Sequence, residues 1–354
     1  MVDQGASDLH VTVGSPPSLR IDGKIFPLKT KSLVDSDIAS LAYSILNDRQ
    51  KRQFEEGNEI DLSFQWKGKF RFRANFFRQQ GYIAGAFRKI PIEIPSLSDL
   101  GIIPCVGELL DQTDGLVLVT GPTGSGKSTT LASLVDAYNS RNRGHIITVE
   151  DPIEFVHVHK KCIVNQRELG TDTDSFAIAL RHVLRQDPDV VLIGEVRDKP
   201  SMEALLKIAE TGHLAFGTLH TNNAVQTILR ILDFFPADQQ EMVRAQLSFV
   251  LRGIISQQLV PRASGRGRVL ACEVLIPTPA IRNMIREHKI HQIYSQMQIG
   301  QDKTRMQTLN QSLFHLIKRD IVSMEDGLMR SYDPEELSGL IKEKGLARHK
   351  RRTA

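Results

Sequence analysis

The sequence predicts an α/β protein built in two parts, and three observations predict it. Up to about residue 90, short apolar runs alternate with turns around one helical stretch, an α+β pattern. From about residue 115, continuous apolar runs of about four to six residues alternate with helical segments, as in a parallel sheet buried on both faces. The first of those runs leads into GPTGSGKST, a glycine-rich phosphate-loop motif set between a strand and a helix.

Bulk properties agree with this reading. A chain of 354 residues, 41% hydrophobic and 24% charged, can bury real cores and suits two or three domains. No apolar run reaches the ~18 residues of a membrane span, and MVDQGASDLH has no basic-then-apolar leader. Cys105, Cys162 and Cys272 are too scattered for a disulfide framework and fit a reducing cytoplasm. A net charge of +4 is too small to indicate nucleic acid. The closing KEKGLARHKRRTA is basic, either a solvated end or a weak attraction for acidic lipid head groups.

In the first part, LHVTVG, SLRIDGKIFPL, IDLSFQW, KFRFRANFF and YIAGAFRKI carry strand patterning. Between them DSDIASLAYSILNDRQKRQFEE reads as helix, with Ile38, Leu41, Ile45 and Leu46 at helical spacing. This domain is expected over 1–90, and Pro91, Pro95 and Pro104 mark an interdomain connection over 91–112. The core of the second domain is expected over 113–276, with strands at Gly115–Thr120, 145–149, Val190–Ile193, Leu214–Leu219 and 269–275. Segments such as TPAIRNMIREHKI and TLNQSLFHLIKRD make 277–354 a helical region.

The loop LVLVTGPTGSGKSTT fits G-x-x-x-x-G-K-[ST]. Gly121, Pro122, Thr123, Gly124, Ser125, Gly126, Lys127, Ser128 and Thr129 would surround a nucleotide's phosphates. The glycines leave backbone N–H groups free to wrap phosphate oxygens, and the following helix adds its positive end. Lys127 supplies a charge to the β and γ phosphates, and Ser128 offers a hydroxyl to Mg²⁺. A flexible Gly/Ser turn is the plain alternative, and the flanking strand and helix oppose it.

In an open α/β sheet, ligands sit beyond the carboxyl ends of the strands. The second run ends in Glu150, Asp151, Pro152, Ile153 and Glu154, the third in Glu195, Val196, Arg197 and Asp198, and the fourth in His220, Thr221 and Asn222. With the phosphate loop, four runs deliver polar groups to one edge. Glu195 closes an apolar strand as the carboxylate that supports Mg²⁺ or its waters does, where an Asp is more usual. Glu154 is the candidate to align and deprotonate the attacking water. His213 and His220 flank one strand and would stand roughly 20 Å apart, too far to share a metal ion. His220 is expected to face the phosphates. His213 is expected at the opposite edge or a subunit face, structural or functional.

GPTGSGKST, VEDPIEF, GEVRD and AETGHLAFGTLHTN together resemble the secretion ATPases that power type II secretion and type IV pili. RFRANFFRQQGYIAGAFRKIP is similar to the end of that family's N-terminal domain. AIRNMIRE, followed by QIYSQMQIGQDKTRMQTLNQSL, resembles its pilus-retraction branch, the PilT-type twitching-motility motors. The resemblance covers nearly the whole chain. It implies a PAS-like N-terminal domain followed by a RecA-like P-loop ATPase domain, assembled as a homohexamer. It also implies ATP hydrolysis with Mg²⁺ at the cytoplasmic face of the inner membrane, and a membrane platform protein as partner, with related pilus ATPases beside it.

By the same resemblance Glu154 matches the catalytic glutamate of the acidic box, Glu195 the second-motif glutamate, and His213 and His220 the histidine box. Arg197 belongs to the second motif, which reads GEVRD here where the family has GEMRD. Arg73 and Arg88 match arginines that reach the phosphates from the N-terminal domain, a role that suits a planar, permanently charged group. Their plain alternative is exposed strand ends. Ile281, Arg282 and Asn283 lie in the AIRNMIRE motif, which matters for retraction though remote from ATP; it is a packing helix or one that transmits motion or meets a partner. Pilus-extension relatives commonly carry a four-cysteine zinc site that three cysteines cannot build. The chain also begins just before GASDLH, which implies a shortened first helix.

The leading expectation is therefore an ATP-driven pilus-retraction motor. The alternatives are an extension or type II secretion ATPase, an accessory retraction ATPase, a RecA-like nucleic-acid translocase, and a nucleotide-dependent switch without power output. Aromatic content of 6% and a single tryptophan, Trp66, outside the motor half oppose the translocase.

Overall fold

A computed structural model describes residues 1–21, 23–67, 70–90, 93–299 and 304–343. Pro91 and residues 344–354, most of the basic end, lie outside the described residues. By its contacts the chain divides into two units, Met1–Glu93 with Pro152–Val156, and Ile94–Asp151 with the chain from His157 onward.

The first unit is an antiparallel sheet of β1 (Asp8–Val11), β2 (Ser18–Ile21), β3 (Lys24–Pro27), β4 (Glu59–Trp66), β5 (Phe70–Gln79) and β6 (Tyr82–Ile90), in the order β3-β2-β1-β6-β5-β4. Every stretch with strand patterning is a strand, and SLRIDGKIFPL is the β2–β3 hairpin. Period-two alternation sends Ile60, Leu62, Ala74, Phe76, Ile83 and Phe87 to one face. There they bury Ile38, Ala42 and Phe54 of α1 (Asp35–Ile45) and α2 (Asp48–Gly57). The one expected helix is two. Leu46 turns extended, and the Asn47 side chain accepts the Gln50 N–H while Gln50 reaches back to the Asn47 N–H, so a capping box starts a second helix.

In the second unit the sheet order is β13-β12-β7-β11-β10-β8-β9. Its strands are β7 (Gly115–Thr120), β8 (His145–Glu150), β9 (Ile163–Glu168), β10 (Val190–Ile193), β11 (Leu214–Leu219), β12 (Leu251–Pro261) and β13 (Arg268–Leu275). All neighbours are parallel except β13, which returns antiparallel along β12. Every residue of β7, β10 and β11 is buried, as continuous apolar runs require. On one face, Val117, Val119, Val190 and Phe216 pack with α3 (Cys105–Glu108) and α4 (Lys127–Arg141). On the other, Leu116, Leu118, Val191 and Ala215 pack with α5 (Phe176–Val183), α6 (Lys199–Glu210), α7 (Ala224–Asp233), α8 (Ala237–Val250) and α9 (Pro279–Arg286).

Two strands were not legible as runs. β9 alternates at the sheet edge with a polar outer side, and β12 is interrupted by Ser256, Gln257 and Gln258. Of the stretch read as an interdomain connection over 91–112, Ile102, Cys105, Val106, Leu109 and Leu110 are buried against the parallel sheet, because 105–111 forms helical turns with an apolar side. Beyond β13, helices Leu309–Lys318, Met324–Arg330 and Pro334–Glu343 enclose a small core with Val260 and Ala271. Among the described residues no helix is long and apolar enough to cross a membrane.

Candidate active site

Parallel register brings the predicted strand ends to one level. Thr120 at the end of β7 pairs with Leu219 at the end of β11, while Ile193 of β10 pairs with Gly217 of β11 and Val149 of β8. The next residues along each chain are Gly121, His220, Gly194 and Glu150, so a single sheet edge carries all four loops, as expected.

The phosphate loop is held in an unusual backbone path. Gly121, Gly124 and Gly126 have φ of 144°, 78° and 90°, angles that L side chains rarely adopt. A Cβ on Gly121 would lie 2.3 Å from the Gln257 carbonyl oxygen and 2.7 Å from Ser125 Oγ. Gln257 Nε2 in turn donates to the Ser125 carbonyl oxygen at 2.9 Å, so β12 clasps the loop from its side. Lys127 opens α4; its Nζ donates to the carbonyl oxygens of Gly121 at 2.9 Å and Pro122 at 3.1 Å. A buried ammonium needs such acceptors, and phosphate oxygens at the same helix end are a stronger set. The Ser125 hydroxyl of the loop and the Gln257 Oε1 of β12 are both buried with no partner in the fold.

Glu195 is placed by its neighbours. The Gly194 N–H donates to the Val149 carbonyl of β8 at 2.8 Å, and the Val196 N–H to the Thr218 carbonyl of β11 at 3.1 Å, so the chain crosses between the two strands at Glu195. Gly194 allows this crossing, since its Cβ position lies 3.2 Å from Glu150 Cα. Arg197 Nη2 donates to Glu195 Oε2 at 2.7 Å, and its Nη1 lies 3.7 Å from Asp151 Oδ2. His220 Nε2 lies 3.2 Å from Glu195 Oε1. The hydrogen bond from Arg197 is the largest influence on the Glu195 carboxyl and lowers its pKa; Lys127 and His220 act in the same direction, against partial burial. The structure thus brings Lys127, Glu195, Arg197 and His220 together. His220 is engaged with the carboxylate as well as standing at the edge expected for it.

A chain of hydroxyls links these loops, and two of its members, Thr227 and Ser256, escaped sequence reasoning. Thr221 Oγ1 lies 2.7 Å from Thr227 Oγ1, Thr227 Oγ1 3.5 Å from Thr120 Oγ1, and Thr120 Oγ1 2.8 Å from Ser256 Oγ. Thr120 precedes the phosphate loop and Thr221 follows His220, so the chain of hydroxyls joins the two. The available signal was the run Ser256-Gln257-Gln258 inside an otherwise apolar strand.

His213 is at the other edge. Its carbonyl accepts the Gly115 N–H at 3.1 Å, and its Nδ1 lies 3.2 Å from Thr211 Oγ1 and 3.3 Å from the Ile208 carbonyl at the end of α6. In α9, Ile281 and Ile285 are fully buried. Arg282 is not on a free polar face: its Nη1 donates to the carbonyls of Ser248 at 2.7 Å and Phe249 at 3.0 Å, closing the end of α8. Asn283 donates to Glu287 at 3.1 Å on the exposed side.

The remaining candidates fall in the first unit. Glu154 is exposed in the segment Pro152–Val156. Arg73 and Arg88 stand opposite one another in the β5–β6 register, mid-strand rather than at strand ends. Arg73 Nη2 lies 3.6 Å from Asp61 Oδ1, and Arg88 Nε donates to Asp8 Oδ1 at 2.8 Å.

A metal ion's fit is decided by donor chemistry. Among the described residues no group of three His, Cys, Asp or Glu can hold one. An ion here must complete its shell with water and phosphate oxygens, the habit of Mg²⁺ rather than of zinc, and the Ser128 hydroxyl and Glu195 carboxylate are the donors that suit it.

Comparison with known proteins follows the same lines. The family described as "Type II/IV secretion system protein" matches residues 91–326. The chain is 48% identical over 332 residues, 94% of itself and 96% of the relative, to the type IV pilus retractation ATPase PilT of Pseudomonas aeruginosa. It is 40% identical to the type IV pilus ATPase PilU of the same organism, covering 97% of this chain and 89% of that one. A crystal structure of the pilus retraction motor PilT with bound ADP superposes with a TM-score of 0.90 at 53% identity, covering 96% of each chain. The Legionella pneumophila ATPase DotB gives a TM-score of 0.81 at 26% identity, covering 93% of this chain and 92% of that one. With the family matched over most of its length and full-length relatives of this similarity, the chain belongs to the PilT-type ATPases of the type II/IV secretion system protein family.

Proposed function

We propose that this chain is the ATP-hydrolysing motor that drives type IV pilus retraction. One observation carries the reading: in a chain 48% identical to a retraction ATPase, Glu195 stands among Arg197, His220 and Lys127 at the sheet edge that holds the phosphate loop. The loop's N–H groups and Lys127 bind the β and γ phosphates. Mg²⁺, held by Ser128 and by Glu195 in part through water, neutralises phosphate charge when bound. Glu154 is the base that orients the attacking water, and Arg73 and Arg88 are the cationic partners of the phosphates; these roles come from the family resemblance. His220 reports the state of the γ-phosphate through its contact with Glu195. A homohexamer at the inner membrane, working on a platform protein, completes the proposal.

The test is steady-state ATP hydrolysis by Lys127→Ala, Glu154→Ala and Glu195→Ala. Each is expected to lose most turnover, about 100-fold or more, as removal of a charge-stabilising or base residue does. Normal turnover in the Glu154 variant removes its assignment as base, and normal turnover in all three removes the site. The second reading is an accessory retraction ATPase that works beside the main one; the chain is also 40% identical to a second type IV pilus ATPase, PilU, over nearly its whole length. Gene deletion separates these readings. Excess pili that do not retract indicate the main motor, unaltered retraction indicates an accessory, and loss of pili indicates extension.

A further inference from the structure

Glu273 is a carboxylate in the wrong company for its strand. It sits on β13 within LACEVL, is 2% exposed, and takes no part in the phosphate site. Its Oε1 accepts the Ala224 N–H at 2.7 Å, and the Leu309 backbone is a second, weaker donor to the carboxyl, in a segment held against β13 by the Val274 N–H to the Gln307 carbonyl at 2.8 Å. Ala224 is the first residue of α7 and Leu309 the first of helix Leu309–Lys318. The N-cap residues Asn223 and Thr308 accept N–H groups one turn in, from Gln226 and Gln311. Glu273 thus takes the first-residue N–H that each cap leaves over. Both partners are donors, so the ionised carboxylate meets them with acceptor oxygens where an amide would turn its NH₂ against one of them. The partial positive charge of both helix ends favours that anion, while burial opposes it and is the stronger influence, so the ionised clasp is complete only above about pH 7.

The location gives this clasp a consequence. α7 starts directly after His220, Thr221, Asn222 and Asn223, whereas helix Leu309–Lys318 leads the C-terminal helical group. We propose that Glu273 is a positioning residue for ATP turnover: its carboxylate ties the His220 loop to the C-terminal helices, so the two move as one. The proposal rests on the reading that His220 acts at the phosphates. Around the clasp, Glu336 of the last described helix is the charged neighbour, and it is itself bonded by Tyr294 at 2.7 Å, Gln298 at 2.8 Å and Asn310 at 2.7 Å.

The experiment is a double-mutant cycle on kcat and KM for ATP with Glu273→Gln and His220→Ala in the full chain. Glu273→Gln is expected to lower kcat about 10-fold with KM changed less than about 3-fold, the pattern of lost positioning rather than lost binding. In the His220→Ala background it is expected to add no further loss, because the two act as a unit. An equal fold loss in both backgrounds overturns the proposal, as does unchanged kcat in Glu273→Gln alone. If His220→Ala itself turns over normally, the reading of His220 fails and the proposal with it. If His220→Ala is slow and Glu273→Gln normal, only the proposal fails. Should Glu273→Gln lack a cooperative unfolding transition, Ala224→Pro removes the same N–H at a helix position that accepts proline, after an Asn223 already extended at φ −149° and ψ 169°. The same outcomes then decide.

Discussion

Replacing Gly121 by alanine tests whether the phosphate loop is built by the backbone rather than by its lysine alone. At φ 144° an L-residue is strained by about 1–3 kcal/mol. The new methyl would also lie 2.3 Å from the Gln257 carbonyl oxygen, a backbone atom of a paired strand that cannot swing aside, and 2.7 Å from Ser125 Oγ. Overpacking of this kind adds about 1–3 kcal/mol. The sum, roughly 2–6 kcal/mol, has two outlets. If the loop keeps its path, the second unit unfolds about 4–24 °C lower, using about 2–4 °C per kcal/mol for a domain of this size. If the loop yields, a fluorescent ATP analogue should bind at least about 30-fold more weakly, since each ~1.4 kcal/mol is a factor of ten. Gly124→Ala is the control: its φ is 78° but nothing lies within 4 Å of its Cβ, so only the smaller backbone strain remains. Thermal unfolding and nucleotide titration of both variants decide the matter. Equal behaviour of the two, or a Gly121 variant with wild-type melting and affinity, would refute the argument.

Two further outcomes follow from other parts of the fold. Burial pushes the Glu273 carboxyl up to about 7 from an ordinary 4.5, so the folded chain holds a proton that the unfolded chain releases. Its contribution to stability is full below about pH 4.5, is lost as pH rises to about 7, and is flat above; the span is ~3 kcal/mol. The difference in melting temperature between wild type and Glu273→Gln should therefore vary over that window and be constant above it, and a constant difference throughout would contradict it. Asn47→Ala removes the capping box that divides α1 from α2 and should lower stability by about 1 kcal/mol without altering ATP affinity, as read by denaturant unfolding and nucleotide titration.

Much of the site was legible because its parts are contiguous in the chain. GPTGSGKST, GEVRD and GHLAFGTLHTN each place their polar residues directly after an apolar strand, and local geometry then sends them to the same sheet edge. The strands missed were those whose burial is set by partners: β9 lies at the edge with one polar side, and β12 carries Ser256, Gln257 and Gln258 for other loops to use. The helix read as one over α1 and α2 was misjudged because Asn47 and Gln50 terminate it by a cap, a signal weaker than the apolar spacing that spans it.

The amino-acid sequence alone determined the two-part architecture, the phosphate loop, and the separation of His213 from His220 by one strand, since each depends on spacing within a few residues. Only the tertiary structure decided the groups that hold those parts in place. Ser256 meets Thr120 across 136 positions, Gln257 meets Ser125 across 132, and Glu273 meets Ala224 across 49. Such contacts leave no periodic trace, because a buried hydrogen bond constrains two atoms in space and not the residues that lie between them in the chain.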